Sequence, residues 1–381
     1  MNRMKKEFHE KYMSLAISLA KKGEGMTSPN PLVGAVLVKR GKIIGKGYHR
    51  KAGLPHAEIE AFIDAGRNGQ DVGGGTLYVS LEPCCHREKK TPPCTDAVIE
   101  KGIGEVIVGA LDPNPRVSGK GVKTLKLAGI RVTTGVLGEK ARRLNEAFNK
   151  YITTGTPFVT LKLAATLDGK IATHTGDSKW IGSEGQRKMG HRLRNLADAV
   201  MVGTGTILKD DPRLNVRLYK KAGNERQPVP VVLDRTLKTP VNSKIFSVHD
   251  SVIIVTGKSH DQVRRKKLEG VGARIIEVGL GRDGHLGLRE LARKLGKNEI
   301  TSLLIEGGSA TAALALKSGI VDKVVFFYAP RVIGAEGLSM VGKLGVSRIK
   351  DSLGIERVKI RKLGDEFMVE GYVAKPNRQK K

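Results

Sequence analysis

One histidine, one glutamate and two cysteines stand out by type and order: His56-Ala57-Glu58, then Pro83-Cys84, then Pro93-Cys94. An imidazole and two thiols are three ligands of the kind zinc takes, and a hydrolytic site keeps its fourth position for water. Two thiolates and a neutral imidazole leave the metal formally neutral and still able to acidify that water, from about 15.7 towards about 7. Glu58, two residues past the histidine, can carry a proton between the water and a departing amine. Zinc is the expected metal, with His56, Cys84 and Cys94 as ligands and Glu58 as the catalytic residue.

The elements around these residues must bring them together. Gly53-Leu54-Pro55 breaks the chain before His56, and Ala57 to Phe62 begins a helix. Thr76 to Leu81 reads as a strand that runs into Glu82-Pro83-Cys84, and Thr95 to Ile99 opens a second helix after Cys94. Two ligands thus fall at helix N-termini, where the dipole favours thiolate. The bland reading makes Glu58 a carboxylate that merely complements a helix start, and the cysteine pairs chance neighbours. The shared placement of all four residues speaks against it. Their order is the one zinc nucleobase deaminases use, with the glutamate outside the metal shell.

Composition limits the remainder. A chain of 381 residues, 39% hydrophobic, is long enough for two or three domains with their own cores. Three cysteines argue against a disulfide scaffold and for a reducing compartment. The polar, basic start does not resemble a secretory signal, and no stretch approaches the roughly 18 apolar residues of a membrane span. A cytoplasmic protein without a membrane partner is expected. Lys and Arg number 67 against 38 acids, a formal charge of +29. The basic residues are spread along the chain and aromatics are only 4%, a poor surface for stacking bases. The charge suits phosphorylated substrates better than nucleic acid. The tail from Lys375 reads as a solvated end.

The first half alternates helix and strand. A helix covers roughly 7–22, a hairpin joins 33–38 to 43–48 through Arg40-Gly41-Lys42, and strands follow at 76–81, 105–110 and 131–134. A helix over about 139–151 and the stretch 153–157 look like a connector. The second half restarts at Phe158 and places strands at 158–163, 199–202, 229–233, 251–255, 274–278, 302–305 and 323–328. The alternation implies sheets covered by helices, an α/β fold in both halves. Ile305-Glu306-Gly307-Gly308 then the helix 311–317 is a strand–glycine–helix junction, where backbone N–H groups can meet a phosphate. The plainer reading is a capped tight turn. Gly203-Thr204-Gly205-Thr206 is a weaker second case. The Gly-x-Gly-x-x-Gly dinucleotide fingerprint does not occur in a strand-to-helix context.

At this point the residues resemble a known family. Asn30-Pro31-Leu32-Val33-Gly34, His56-Ala57-Glu58, Glu82-Pro83-Cys84 with His86, and Thr91-Pro92-Pro93-Cys94 look like the deaminase half of the bifunctional riboflavin-biosynthesis deaminase/reductases. Leu167-Asp168-Gly169-Lys170, Gly176-Asp177-Ser178-Lys179-Trp180-Ile181, Asp210-Asp211-Pro212-Arg213-Leu214 and Ile305-Glu306-Gly307-Gly308 resemble the reductase half. The similarity spans nearly the whole chain in family order.

The resemblance implies a cytidine-deaminase-like three-layer domain over 1–152, a dihydrofolate-reductase-like α/β domain over 153–375, and a basic tail, 376–381. The first would remove the 2-amino group of a phosphorylated diaminopyrimidinone ribosylamine. The second would use NADPH to reduce ribosyl to ribityl. By position, Asn30, His49 and His86 fall at pyrimidine or ribose contacts. In the reductase, Lys162, Ser178, Arg194, Leu214, Arg217 and Glu306 fall at substrate positions. Ala164, Trp180, Thr206, Asp210 and Arg235 fall at cofactor positions, as does the run Gly308, Ser309, Ala310, Thr311, Ala312, Ala313 and Leu314. Arg194 and Arg217 suit a phosphate, which guanidinium pairs bidentately. Asp168 serves either the chemistry or a turn. Homo-oligomerisation stays open.

The chain departs from the family's pattern in places. Cys85 replaces a serine, and the loop from Cys84 to Cys94 lacks a glycine and is one residue longer, which puts contacts around Arg87–Lys90 in doubt. Gly182 stands where the family often has threonine. Two other readings compete. A zinc deaminase of tRNA or nucleosides would usually show Pro-Cys-x-x-Cys, but position 87 is Arg. A non-catalytic protein that keeps the fold would have no need of an intact His56, Glu58, Cys84 and Cys94.

Overall fold

The computed structural model describes residues 3–86, 92–219, 226–281 and 283–374. The chain divides into two compact units after Gly155. A division after residue 152 would fall inside a helix; the helix ends instead at Gly155, whose φ of 67° is left-handed, a conformation glycine adopts without steric cost.

In the first unit, α1 (Arg3–Ala20) precedes the hairpin of β1 (Gly34–Lys39) and β2 (Lys42–Tyr48). Arg40 and Gly41 both have positive φ, 50° and 73°, as a two-residue hairpin turn requires. Lys42, expected in the turn, already belongs to β2. There follow α2 (Ala57–Arg67), β3 (Thr76–Leu81), α3 (Cys94–Glu100), β4 (Glu105–Ala110), α4 (Lys120–Leu127) and β5 (Arg131–Thr134). The sheet runs β2-β1-β3-β4-β5, antiparallel around β1 and parallel from β3 to β5. Leu77 and Val79 pack with residues of α2, α3 and α4, whereas Tyr78 and Ile107 pack with α1. Alternation along the strands therefore builds a helix–sheet–helix sandwich.

The helix expected over 139–151 is two helices, α5 (Gly138–Leu144) and α6 (Glu146–Thr154). Thr153 and Thr154 belong to α6 rather than to a linker. The break is at Asn145, which leaves the helical region (φ −110°). Its buried amide accepts a hydrogen bond from the Leu32 N–H (2.7 Å) and donates to the Leu32 carbonyl (2.9 Å).

The second unit begins with β6 (Phe158–Thr166), β7 (Lys170–Ala172), α7 (Glu184–Leu196), β8 (Ala199–Gly203), α8 (Thr204–Asp210) and β9 (Val229–Leu233). It continues with β10 (Val252–Gly257), α9 (Gln262–Gly270), β11 (Ala273–Val278), α10 (Leu288–Lys297), β12 (Ser302–Glu306), α11 (Ser309–Lys317) and β13 (Lys323–Ala329). The short β14 (Leu338–Ser339) pairs with β7, and β15 (Ile355–Leu363) and β16 (Glu366–Val373) form a hairpin. The main sheet has nine strands in the order β11-β10-β9-β8-β12-β6-β13-β16-β15. It is parallel from β11 to β13 and antiparallel beyond. Met201, Leu303 and Ile305 pack with α10 and α11; Val200, Val202 and Leu304 point the other way, to α7, α8 and α9. The β15–β16 hairpin is absent from the sequence-based expectation. Its outer strand leaves Val358 and Ile360 exposed, so no buried face marks it.

Candidate active sites

The metal-type residues of the first unit converge. His56 is the N-cap of α2 in extended backbone, Cys94 is the first residue of α3, and Cys84 follows β3. Their ligand atoms all lie within 4.8 Å of one another. His56 Nδ1 is 3.2 Å from Cys94 Sγ and 3.6 Å from Cys84 Sγ. The Cys94 backbone N–H donates to Cys84 Sγ (3.4 Å), which favours a thiolate there. Three donors of zinc's preferred kind at mutual distances a tetrahedral ion can bridge are a fit for that metal. Cys84, not Cys85, belongs to this cluster; burial, and next Glu82, push the Cys85 thiol up.

Glu58 stands in the first turn of α2, 3% exposed. Burial raises its carboxyl above the usual range and Cys84 adds to this, against the opposing pull of His56. His49 and Asn30 adjoin: the His49 ring lies 5.3 Å from the His56 ring, its Nδ1 is 3.1 Å from the Pro55 carbonyl, and its Nε2 is 3.2 Å from Asn30 Nδ2. Nδ1 donating to a carbonyl leaves Nε2 to accept from Asn30, and burial lowers the His49 pKa in keeping with a neutral ring. His86 is half-buried, two residues beyond Cys84. Arg87–Lys90 lie outside the described residues.

Glu82 belongs to the Glu82-Pro83-Cys84 motif, but the sequence assigns it no role. It is buried, and its carboxylate accepts from the backbone N–H groups of Asp112 (3.2 Å), Gly119 (2.9 Å) and Val122 (3.0 Å). It thereby fixes the turn before α4 against the strand end that carries Cys84. Apart from that motif, nothing local in Leu81-Glu82-Pro83 shows that the acid is buried.

In the second unit a cleft of about 1390 Å³ opens at the C-terminal ends of β6, β8, β9 and β12, the side where parallel sheets take ligands. Lys162 and Glu306 are register partners on neighbouring parallel strands, with Nζ 3.8 Å from Oε2. Arg194, from α7, donates to Glu306 through Nε (2.7 Å) and Nη2 (3.0 Å). Burial alone would raise the Glu306 carboxyl, but Arg194 and Lys162 overcome this and hold it at about 2. Burial lowers Lys162, with Glu306 opposing.

Asn215 joins the two arginines: its carbonyl accepts from Arg194 Nη1 and its side-chain oxygen from Arg217 Nη1, both at 3.0 Å. Arg217 is exposed, and its backbone N–H donates to Nδ1 of buried His191 (3.2 Å). Burial, then Arg194 and Arg217, lower His191 to about 4, so it stays a neutral acceptor. Leu214 has φ 51° and its side chain is buried in the core, so only its backbone is left for a ligand. Arg194, Leu214 and Arg217 are not among the residues that line the cleft; Asn215 and His191, which touch the two arginines, carry no motif.

Ser178, Ala164, Trp180, Thr206, Asp210 and Arg235 all line the cleft, as do Gly308, Ser309, Ala310, Thr311, Ala313 and Leu314. Ala312 does not: it is fully buried in the core beneath α11, because a run of consecutive helix residues cannot all face one side. Gly307 and Gly308 differ. A Cβ at Gly307 would lie 2.8 Å from Thr311 Cβ, whereas one at Gly308 would meet nothing within 4 Å. Packing therefore explains the first glycine, and open space beside a helix start, suited to a phosphate, surrounds the second. That cradle fits a dinucleotide cofactor. Asp168 accepts from Thr166 Oγ1 (2.5 Å) and from the N–H groups of Ile333 and Gly334 (3.2 and 2.7 Å), which makes it a loop clamp.

The two sites define the class: a zinc-binding deaminase unit followed by a reductase unit. Residues 6–110 match the model of the cytidine and deoxycytidylate deaminase zinc-binding region, and 157–369 match the RibD C-terminal domain. The chain is 47% identical to riboflavin biosynthesis protein RibD of Aquifex aeolicus, over 96% of this chain and 99% of that one. To the Escherichia coli protein of the same name it is 37% identical, over 94% and 97%. Among solved structures, Acinetobacter baumannii RibD superposes with a TM-score of 0.85 at 34% identity, over 97% of this chain and all of that one. The Thermotoga maritima diaminohydroxyphosphoribosylaminopyrimidine deaminase/5-amino-6-(5-phosphoribosylamino)uracil reductase gives 0.83 at 39%, over 97% and 99%. The chain belongs to the RibD family of riboflavin biosynthesis, bifunctional enzymes with a zinc-dependent deaminase and an NADPH-dependent reductase.

Proposed function

We propose that the first unit deaminates a phosphorylated diaminopyrimidinone ribosylamine and that the second reduces the ribosyl chain of the product to ribityl. The observation that carries this reading is the convergence of His56, Cys84 and Cys94 within 4.8 Å, with buried Glu58 two residues from His56. When bound, zinc supplies the Lewis acidity that makes water a nucleophile at neutral pH. His56, Cys84 and Cys94 hold it. Glu58 takes a proton from the attacking water and delivers it to the leaving nitrogen, which departs as ammonia. Asn30 and His49, neutral and hydrogen-bonded to each other, orient the pyrimidine, and His86 adds a contact on the Cys84 side.

In the reductase, NADPH when bound would supply the hydride, and the chain's residues would position the substrate for it. Gly308 and the start of α11 receive the cofactor's phosphates; Ala164, Trp180, Thr206 and Asp210 line its path. Arg235, exposed just past the end of β9 and donating to the Gly284 carbonyl (3.1 Å), would hold the cofactor's 2′-phosphate. Arg194 and Arg217 take the substrate phosphate, Ser178 and the Leu214 backbone hold the sugar, and the Lys162–Glu306 pair manages the proton that accompanies hydride addition.

Three cysteines outside any disulfide, two of them proposed as thiolate ligands, support a reducing, cytoplasmic setting. Among the described residues, no helix is long and apolar enough to cross a membrane. The test is one assay: the phosphorylated diaminopyrimidine with zinc-loaded protein, followed for ammonia release and, after NADPH is added, for its oxidation. Ammonia without NADPH oxidation would reject the reductase half; no ammonia would reject the deaminase half, and supplying the deaminated pyrimidine with NADPH then tests the reductase by itself.

A further inference from the structure

One polar group in the wall of the reductase cleft is used by none of these steps. Gln186, on α7, lines the cleft and is 4% exposed. Neither its Oε1 nor its Nε2 finds a hydrogen-bond partner among the described residues. Its backbone N–H already reaches Ser183 Oγ (3.4 Å), so the helix start does not need the side chain. A buried donor and acceptor left unpaired are a standing cost to the fold, of the kind that binding sites carry.

The surroundings hold this amide in place. A Cβ built on Gly182 would overlap Gln186 Oε1, so the absent side chain at 182 is what gives the amide its room. Arg187 donates from Nη1 to the Gly182 carbonyl (3.1 Å) and lies 4.6 Å from the Trp180 ring centre, which pins that segment across Gln186. Steps of four along α7 put Gln186, Gly190 and Arg194 on one face. A Cβ at Gly190 would lie 3.8 Å from Lys162 Nζ, and Arg194 binds Glu306. Gln186 thus stands about 12 Å along the helix axis from Arg194, with the Lys162–Glu306 pair between them.

We propose that Gln186 is a substrate-recognition residue of the reductase, pairing its carboxamide with an N–H and an adjacent C=O on the pyrimidine ring. Only a ligand edge with a donor beside an acceptor satisfies both Gln186 atoms, and the broad terminal torsion of glutamine lets the amide turn to meet it. The assignment rests on the reading that places the substrate phosphate at Arg194 and Arg217; the ring then extends along the same helix face towards Ser178. The nicotinamide carboxamide offers the same donor–acceptor pair and is the competing source.

The test uses the full-length, zinc-loaded chain with the deaminated phosphorylated pyrimidine and NADPH. Gln186→Leu should raise the KM for the pyrimidine about tenfold or more, the value of two neutral hydrogen bonds, with kcat little changed and the Kd for NADPH within about twofold. It should also raise the Tm of the reductase unit by about 2–4 °C, since two unpaired polar atoms are gone. Gln186→Glu, which cannot donate, should lose the pyrimidine as well. A weakened NADPH Kd with unchanged pyrimidine KM would move the amide to the nicotinamide and overturn the proposal. So would a Gln186→Leu protein with both constants unchanged, or one whose Tm falls while both constants worsen. A wild type that binds NADPH yet leaves the pyrimidine unreduced would remove the underlying reading and this assignment with it.

Discussion

Arg194 and Glu306, 112 residues apart in the chain, meet through two near-parallel hydrogen bonds of 2.7 and 3.0 Å. Lys162 adds a second cation at 3.8 Å from the same carboxylate. One acid therefore neutralises part of a cluster that would otherwise be buried positive charge, and the excess suits an incoming phosphate.

The first prediction follows from that balance. The folded Glu306 carboxyl, at about 2, lies below its ordinary 4.5. A depressed carboxylate contributes stability above its unfolded pKa and loses it as pH falls through the folded one. Glu306→Gln should cost about 3–5 kcal/mol near neutral pH, because it leaves buried cations uncompensated. The gap to wild type in denaturant unfolding should narrow between about pH 4.5 and pH 2. A pH-independent gap would mean the loss comes from packing.

Removing one thiol tests the metal centre. Cys94→Ala should lose both bound zinc and deamination while NADPH-dependent reduction of the deaminated substrate persists. Thiolate ligands select zinc over hard cations, so metal analysis should find one zinc per wild-type chain. A metal-free variant with full deaminase activity would reject His56, Cys84 and Cys94 as the site.

Glu58→Gln separates binding from proton transfer. Zinc content should stay at the wild-type level while the deamination rate falls about 10²–10⁴-fold, the usual loss with a general acid–base. Near-normal turnover would assign the proton to another group.

Arg235 tests cofactor choice. Arg235→Ala should weaken NADPH binding about tenfold, as expected for one charged hydrogen bond, and leave NADH binding nearly unchanged. Equal NADPH affinity at physiological salt would make Arg235 one more solvated cation of a +29 chain.

Local pattern made much of the fold legible. The strands 76–81, 105–110 and 229–233 have the bounds that apolar runs between turn residues suggest, because each is buried within its sheet. Where a distant contact decides the structure, local pattern fails. Asn145 breaks a helix to reach Leu32, and β15 pairs on an exposed edge with no core face to mark it. The deaminase cluster announces itself because metal ligands need rare residue types. The reductase cleft does not: Lys162, Arg194 and Glu306 come from three separate elements, and only the family pattern singles them out. Gln186 and His191 look like ordinary polar positions of a helix until the sheet beneath them is known.

The Asn145 amide has a consequence for anyone who trims this chain. It closes a ring of more than a hundred residues onto Leu32, two positions from Asn30. A deaminase fragment that stops short of residue 145 would keep His56, Cys84 and Cys94 and still release the turn next to Asn30, the proposed pyrimidine contact. Such a fragment should hold its metal and bind its substrate poorly, a phenotype easily mistaken for a defect at the ligands. What looks like a dispensable C-terminal connector is tied by Asn145 to the segment that carries Asn30.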